Sequence, residues 1–212
     1  MTRDPTPGDA PFPLVDVVCV AGDRPRSLEL FLQSWINQTA PNWRLTVWYE
    51  GREATRDRIL GDYAAADDRI RLRNAPAIHA NQANQLRELA LREAMGDYVL
   101  LVRDRDYYIP RFIEFATGAI RGTAADVVLF DMVHNYDQPG GVHLPAYCVF
   151  ETEFATYRLD IGTAIVRGDL ARAAGFRDRS QNGDQTYFED VFRAKGDGLR
   201  LAKLHKVLFV HN

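Results

Sequence analysis

The sequence predicts an α/β fold in which a mostly parallel central sheet is flanked by helices, and two features of its patterning carry that prediction. Strand-like and helix-like segments alternate through the first half of the 212-residue chain, an order typical of parallel strands joined by helices. The segment "LVDVVCVA" at 14–21 is a nearly continuous apolar run, as expected for a strand that is covered on both faces. A chain of this length can enclose one sizeable core.

Two helical stripes and three further apolar runs complete the predicted first half. Apolar residues recur at i, i+3, i+4, i+7 and i+8 from Leu28 to Ile36, which predicts a helix that starts near Pro25. A second stripe at 86–94 predicts the next helix. The remaining strands of this half are predicted at 44–50, 69–73 and 97–102.

The second half is less regular, although its elements are still of both types. Pro110 suits the first turn of a helix, where its missing N–H is not needed. The predicted elements are a helix over 110–120, a strand at 126–133, a loop or hairpin around 135–145, a strand at 162–168 followed by a short helix to Gly175, a helix at 185–195 and a strand at 206–211.

Composition excludes several classes of protein. The net charge of −3 gives no basis for nucleic-acid binding. Cys19 and Cys148 have neither a disulfide framework nor the spacing of a metal knuckle. The segment 1–13 is rich in proline and polar residues and is expected to be disordered or extended. Since no run of about 18 apolar residues occurs, we expect no transmembrane segment and a cytoplasmic location.

Two aspartates stand where a buried strand is predicted to end. In extended chain, Asp104 and Asp106 point to the same side while Arg105 points away. Ligands of open α/β sheets bind at the carboxyl ends of strands, and two neighbouring carboxylates are stabilised by a divalent cation between them. A metal that carries a phosphate is one interpretation, and a solvated turn with weak surface ion pairs is the other.

Three segments of the chain have the pattern of a known family: "VDVVCVAGDRPRSLELFLQSWINQTAPNWRLTVWYEG", "AMGDYVLLVRDRDYYIP" and "IGTAIVRGDLARAAGF". They resemble segments of the family 2 glycosyltransferases. The resemblance implies a single GT-A domain, the Rossmann-like fold of nucleotide-diphospho-sugar transferases, over residues 14–212. It implies a nucleotide-binding half at 14–106 and an acceptor-binding half at 107–212. The implied activity is hexosyl transfer with inversion.

The resemblance also implies the residues that hold the donor. Ala21, Asp23 and Arg24 occupy the loop that contacts the nucleoside in the family. Glu50 stands where the family has an aspartate that reads the base. Among later residues, Asn84 corresponds to a donor contact on the helix before the D-x-D strand, and Asp104 to the contact with ribose and metal.

The implied cofactor is a divalent metal, Mn²⁺ or Mg²⁺. Its expected ligands are Asp104, Asp106 and, late in the chain, His211. The family's D-x-D-D also overlays "RDRD", and this register places Arg103 and Arg105 where the first and third acidic residues stand.

Two carboxylates are candidates for the general base that takes the proton of the acceptor hydroxyl, a contribution of roughly 10² to 10⁴ in rate. The family places this base in an acidic pair that opens a late helix. Asp184 matches by its distance to Gly196 and by its place at an expected helix N-cap. Asp190 matches by the letters of the pair Glu189-Asp190, although that pair falls in mid-helix.

The expected partners are a nucleotide-sugar donor and an acceptor with a hydroxyl group, which can be a saccharide, a lipid-linked compound or another alcohol. A homo-oligomer or a partner subunit that completes the acceptor site is a further expectation. Two alternatives stay open: a degenerate relative that binds a sugar nucleotide without turnover, and a nucleotidyltransferase, which also uses aspartates and a divalent metal on an α/β sheet.

Overall fold

The computed structural model describes residues 11–22, 24–75, 83–135, 146–180 and 182–212. Within these ranges the chain forms nine strands and six α-helices. The strands are β1 (Val15–Val20), β2 (Trp43–Glu50), β3 (Ile70–Ala75), β4 (Tyr98–Arg103), β5 (Tyr107–Tyr108), β6 (Val127–His134), β7 (Val149–Phe150), β8 (Ala164–Arg167) and β9 (Leu201–His211). The helices are α1 (Pro25–Ile36), α2 (Ala54–Ala66), α3 (Ala83–Glu93), α4 (Phe112–Thr123), α5 (Gly168–Ala174) and α6 (Gly183–Lys195).

Two predicted segments lie partly outside these ranges. The N-terminal segment predicted over 1–13 lies outside the described residues as far as position 10, and the loop or hairpin predicted around 135–145 lies outside them from position 136 onward.

The strands form one sheet in the order β3-β2-β1-β4-β8-β6-β9-β5, with β7 paired to β6. Strands β3, β2, β1 and β4 pair in parallel. Beyond β4 the pairings are antiparallel, except that β6 and β9 run parallel. The predicted α/β architecture is confirmed, and its parallel part is concentrated in the first half of the chain.

The order of the parallel strands creates a crevice. From β1 the chain moves outward to β2 and β3, and then returns to the other side of β1 to form β4. Strands β1 and β4 pair in register from Val15 with Tyr98 to Val20 with Arg103. Their carboxyl ends therefore lie side by side at the point where the strand order reverses, which is where open α/β sheets bind ligands.

The sheet has an apolar core on each face. Side chains of β1 alternate between the two cores, with Val17 and Cys19 in one and Val18 in the other, as the two-residue period of a strand requires. Trp35 of α1 is completely buried in the first core, where its ring centroid lies 5.6 Å from that of Trp43 and 5.1 Å from that of Tyr108. This aromatic packing fixes α1 against one face of the sheet.

Helix α2 was not foreseen because it lacks an apolar stripe. It buries only Arg56, Ile59 and Leu60, so the 3.6-residue period that reveals amphipathic helices is missing. Its N-terminus is instead satisfied by Glu53, whose carboxylate accepts from two backbone N–H groups. In the ranges that are described, none of the helices combines the length and apolar character needed to cross a bilayer.

Strand β9 is longer than the predicted strand at 206–211 and begins at Leu201. Its first half pairs with β6 but is exposed or partly exposed throughout, so only the more buried second half has the apolar pattern that sequence reading recognises.

Replacement of Trp35 should show how much the first core contributes. We expect Trp35→Ala to lower the free energy of unfolding by about 3–5 kcal/mol, because a completely buried indole leaves a cavity. Leu30→Ala, on the exposed face of the same helix, should change it by less than about 0.5 kcal/mol. Urea unfolding followed by fluorescence measures both, and equal losses in the two variants would contradict this assignment of the core.

Candidate active site

The crevice between β1 and β4 is bounded by the residues that follow both strands. Ala21 donates its backbone N–H to the Trp48 carbonyl at 2.8 Å. Gly22 donates its N–H to Asp104 Oδ2, also at 2.8 Å. A side chain added at Gly22 would meet nothing closer than Asp104 Oδ2 at 3.9 Å, so the backbone borders open space there. The sequence-predicted residues Ala21 and Asp104 thus lie together.

Asp104 is almost fully buried. Burial raises the pKa of its carboxyl group, while the hydrogen bond from Gly22 and the charges of Arg24 and Arg105 act in the opposite direction. Arg24 itself precedes α1 and is exposed. Asp23, the other residue predicted for this loop, lies outside the described residues.

Asp106 forms a buried pair with His211. The His211 Nδ1 atom lies 2.8 Å from Asp106 Oδ1, and both side chains are inaccessible to solvent or nearly so. The other carboxylate oxygen, Oδ2, accepts from the Arg103 backbone N–H at 3.4 Å. The structure therefore brings together two of the three expected metal ligands, whereas Asp104 is bonded to Gly22.

Arg103, the last residue of β4, is the centre of the site. Its Nη1 donates to both oxygens of Asp160 at 2.7 and 2.8 Å, and its Nη2 donates to Asp184 Oδ2 at 2.7 Å. Burial by itself would lower the pKa of Arg103, but the carboxylates of Asp160 and Asp184 outweigh it and raise that pKa. The guanidinium is therefore permanently charged and held by two carboxylates.

The two carboxylates differ in their surroundings. Asp160 also caps the short 3₁₀ helix Ile161–Thr163, since its Oδ1 accepts from the Gly162 N–H at 2.9 Å. Burial alone would raise the pKa of Asp160, yet Arg103 holds it well below its usual range. For Asp184 burial prevails over Arg103 and Arg87, and the pKa of its carboxyl group is raised. Of the two, Asp184 is the better proton acceptor near neutral pH.

Helix α6 presents Asp184 in its first turn. The N-cap residue is Asn182, without a side-chain capping bond, so the expectation that Asp184 caps the helix is wrong: its carboxylate is bonded to Arg103 instead. Gly183 is confined, because a Cβ there would lie 2.4 Å from Asn84 Nδ2. A side chain at position 183 would therefore collide with Asn84.

Asp190 lies six residues further along α6. At 1.5 Å and 100° per residue, it stands roughly 9 Å along the axis and on another face of the helix. Its carboxylate accepts from Arg177 Nε at 2.5 Å and is also paired with Arg193. The structure joins Asp184, and not Asp190, to Arg103.

Asn84 and Glu50 are the two remaining residues that the sequence predicts to contact the donor. The Asn84 amide donates to the carbonyls of Asp178 and Ser180, and its Oδ1 accepts from Arg87 Nη1. Asn84 thereby connects α3 to the segment that precedes α6. Glu50 is the partly exposed last residue of β2 and stands opposite Ala75 of β3, at the same edge of the sheet as the crevice.

Sequence reading missed Asp160 and Arg87. Asp160 had one local signal, the spacing of an N-cap aspartate three residues before Thr163, which is typical of a capping box. Arg87 had none, since its Nη1 lies 4.0 Å from Asp184 Oδ1 across 97 residues of chain. Among the residues described, no group of three or more His, Cys, Asp or Glu side chains is arranged to hold a metal ion.

Several solved structures resemble this arrangement of strands and helices. Residues 1–349 of TarS from S. aureus superpose with a TM-score of 0.74 at 18% sequence identity, covering 94% of this chain and 60% of that one. The same protein in complex with UDP-GlcNAc gives 0.73 at 18% identity, with 93% and 58% covered. A mannosyltransferase from Pyrobaculum calidifontis, in complex with GDP-Man and Mn²⁺, gives 0.69 at 14% identity, with 98% and 58% covered.

These likenesses decide the fold. The chain has the GT-A glycosyltransferase fold. No protein-family model matches it, and no curated protein matches it either. The chain spans about 60% of the length of the TarS structure with which it was compared.

The free energy of unfolding should distinguish the structural contributions of Asp160 and Asp184, the two carboxylates that hold Arg103. We expect Asp160→Asn to lower the free energy of unfolding by about 3 kcal/mol, because it breaks a buried ion pair and weakens a cap. Asp184→Asn should cost about 1 kcal/mol or less, since Arg103 keeps its bidentate partner. Urea unfolding of both variants at pH 7 tests this, and an equal or larger cost for Asp184→Asn would contradict it.

Proposed function

We propose that this chain is a glycosyltransferase that moves a sugar from a nucleoside-diphosphate sugar to an acceptor hydroxyl with inversion. The observation that carries the proposal is the meeting of Asp184 with Arg103 at the carboxyl end of β4, beside the crevice at β1. A fold alone does not define an activity, so the argument depends on this group of side chains.

The donor is proposed to lie across the crevice. Its nucleoside would contact the loop after β1 at Ala21, Asp23 and Arg24, and its base would face Glu50 at the end of β2. Asp104, which accepts from the Gly22 N–H, would also accept from a ribose hydroxyl. The structures with which the chain was compared include complexes with UDP, UDP-GlcNAc and GDP-Man, which supports a nucleotide sugar as the donor class.

Asp184 is proposed as the general base. In an in-line displacement, the acceptor oxygen forms a bond to the anomeric carbon while the bond from that carbon to the phosphate oxygen breaks. The bonding electrons leave with the nucleoside diphosphate, and the hydroxyl proton passes to Asp184. The raised pKa of this carboxyl group favours that transfer near neutral pH. Asp190, bonded to Arg177 and Arg193, is the second candidate from the sequence.

The acceptor is proposed to approach along α6. A cavity of about 690 Å³ is lined there by apolar residues that include Phe154, Leu159 and Phe188, together with Gln185. Gln185, the residue after Asp184 on α6, is one of the residues that line it. A volume of this size is within the range of small-molecule sites.

A divalent metal was also expected from the sequence, with Asp104, Asp106 and His211 as ligands. The described residues do not fit such a site, because Asp106 and His211 are bonded to each other and Asp104 to Gly22. No step of the mechanism is therefore assigned to a metal, and metal dependence stays a prediction of the sequence.

One observation favours a second function. Asp184 is paired with Arg103, and a base in an ion pair must be released before it can accept a proton. A protein that binds a sugar nucleotide without turnover would keep this pair intact. Turnover of a donor separates the two functions.

Calorimetric titration with UDP, GDP and dTDP tests the donor site. We expect one of the three to bind, and Gly22→Val to weaken its affinity by about tenfold or more, because the added side chain would enter the open space beside Asp104. Gly61→Ala is the matched control, since nothing lies within 4 Å of its added methyl group. Unchanged binding in Gly22→Val would contradict this location of the nucleotide.

Turnover tests the base. Using the donor that the titration identifies, Asp184→Asn should retain nucleotide binding and lose about 10²- to 10⁴-fold in the rate of nucleoside-diphosphate release. Activity of the unmodified protein should fall as pH drops through the raised pKa of Asp184, because the protonated carboxyl group cannot act as a base.

Two further variants complete this experiment. Asp190→Asn should retain turnover, and Asp62→Asn, an exposed aspartate on α2, serves as the control. Loss of turnover in Asp190→Asn with normal rates in Asp184→Asn would move the base to Asp190.

A further inference from the structure

Arginines and aspartates alternate at the carboxyl end of β4, from Arg103 to Asp106. In the structure, the charges of further arginines act on the aspartates of the site. Arg24 and Arg105 act on Asp104, and Arg87 acts together with Arg103 on Asp184. The aspartates of the site are thus interleaved with guanidinium groups, and the site has no excess of negative charge that would attract a divalent cation.

We propose that guanidinium groups, with Arg103 as the central one, bind the diphosphate of the donor in this chain, so that donor binding and transfer require no divalent cation. The inference rests on the proposed function, because it concerns the diphosphate of the same donor.

The carboxylates expected to hold a metal are already engaged. Asp106 has no exposed surface, one of its oxygens is bonded to His211 and the other accepts from the Arg103 N–H. Asp104 Oδ2 accepts from Gly22. A cation there would compete with these partners and would lie close to Arg103, whose charge acts on Asp106. Among the described residues, no group of three or more His, Cys, Asp or Glu side chains is arranged to hold a metal ion.

Arg103 has the geometry that an anion site needs. A guanidinium carries five N–H donors, and the three bonds to Asp160 and Asp184 occupy three of them at most. At least two donors are therefore not used in these bonds, and a guanidinium presents its donors in the planar arrangement that suits phosphate oxygens. The bidentate contact with Asp160 holds this group in place before the ligand arrives.

Arg103 lies next to the proposed position of the nucleotide. It is opposite Val20 in the pairing of β4 with β1, directly beside the crevice where the nucleotide is proposed to lie. During transfer the electron pair of the broken bond to the anomeric carbon moves onto a phosphate oxygen. N–H donors aimed at that oxygen stabilise the charge that develops there, which is the contribution otherwise made by a metal ion.

Arg103 would also couple binding of the donor to release of Asp184 as the base. It is bonded to Asp184, and a diphosphate that takes over part of its hydrogen bonding leaves Asp184 more able to accept a proton. Donor binding and release of the base would thereby occur together.

Calorimetry tests the proposal directly. The nucleotide that binds among UDP, GDP and dTDP is titrated into protein treated with EDTA and into protein with excess MnCl₂. We expect the two affinities to differ by less than about threefold, and turnover of the corresponding donor to survive EDTA. Binding that occurs only with Mn²⁺, or that tightens more than about tenfold with it, would overturn the inference and leave the proposed function standing. Absence of binding under every condition would overturn the proposed function as well.

Variants of Arg103 test whether its guanidinium group binds the diphosphate. Arg103→Gln should weaken nucleotide binding by more than about tenfold both in EDTA and in MnCl₂, and Arg103→Lys, which keeps the charge but loses the fork, should give a smaller loss. Arg111→Gln is the matched control, an exposed arginine paired with Glu114 at the start of α4, and should bind normally. Because Arg103→Gln leaves two carboxylates without their cation, circular dichroism must first show that it folds. If it does not fold, Arg103→Lys decides, and unchanged affinity in that variant would overturn the inference.

Discussion

The ion-paired bridge that Arg103 forms with Asp160 and Asp184 is the interaction on which the site depends. It joins the end of β4 to the 3₁₀ helix Ile161–Thr163 and to the first turn of α6. Charges that are largely removed from water are tolerated only when they are paired and hydrogen-bonded. The three elements are therefore held at fixed positions relative to one another, and the open crevice at β1 has a rigid wall on its other side.

The sheet topology explains why so many charges meet at one place. Residues after β1 and β4 are adjacent because the strand order reverses between these strands. The parallel pairing of β9 with β6, and the pairing of β5 with β9, bring the end of the chain back to the same region. His211 thus reaches Asp106 across 105 residues of sequence. A ligand site built in this way uses elements from both halves of the chain.

The chemistry that follows differs between the two sides of the bridge. Toward β1 the site has arginines and a buried Asp104, and guanidinium groups are suited to the charged diphosphate of a nucleotide. Toward α6 it offers Asp184, whose pKa is raised by burial, and the same helix lines a cavity with Gln185 and Phe188. In the proposed reaction, the charged donor would lie on the β1 side and the acceptor on the α6 side of the bridge.

The sequence by itself determined the elements whose pattern is local. The buried strands at β1, β2, β4 and β6 and the amphipathic helices α1 and α4 follow from apolar periodicity, which is a property of neighbouring residues. The end of β4 was recognisable as a site because Asp104 and Asp106 follow a buried run. Helix α2 was missed for the same physical reason, since it is only weakly buried and has no stripe.

Only the tertiary structure decided what those aspartates do. The partners of Arg103 lie 57 and 81 residues away in the chain, and no spacing in the sequence indicates such contacts. Lack of space excludes a side chain at Gly183, and the balance between burial and the charge of Arg103 determined that the pKa of Asp184 is raised and that of Asp160 lowered. Sequence patterns report which residues face a core, whereas long-range pairing of charges depends on how the elements pack.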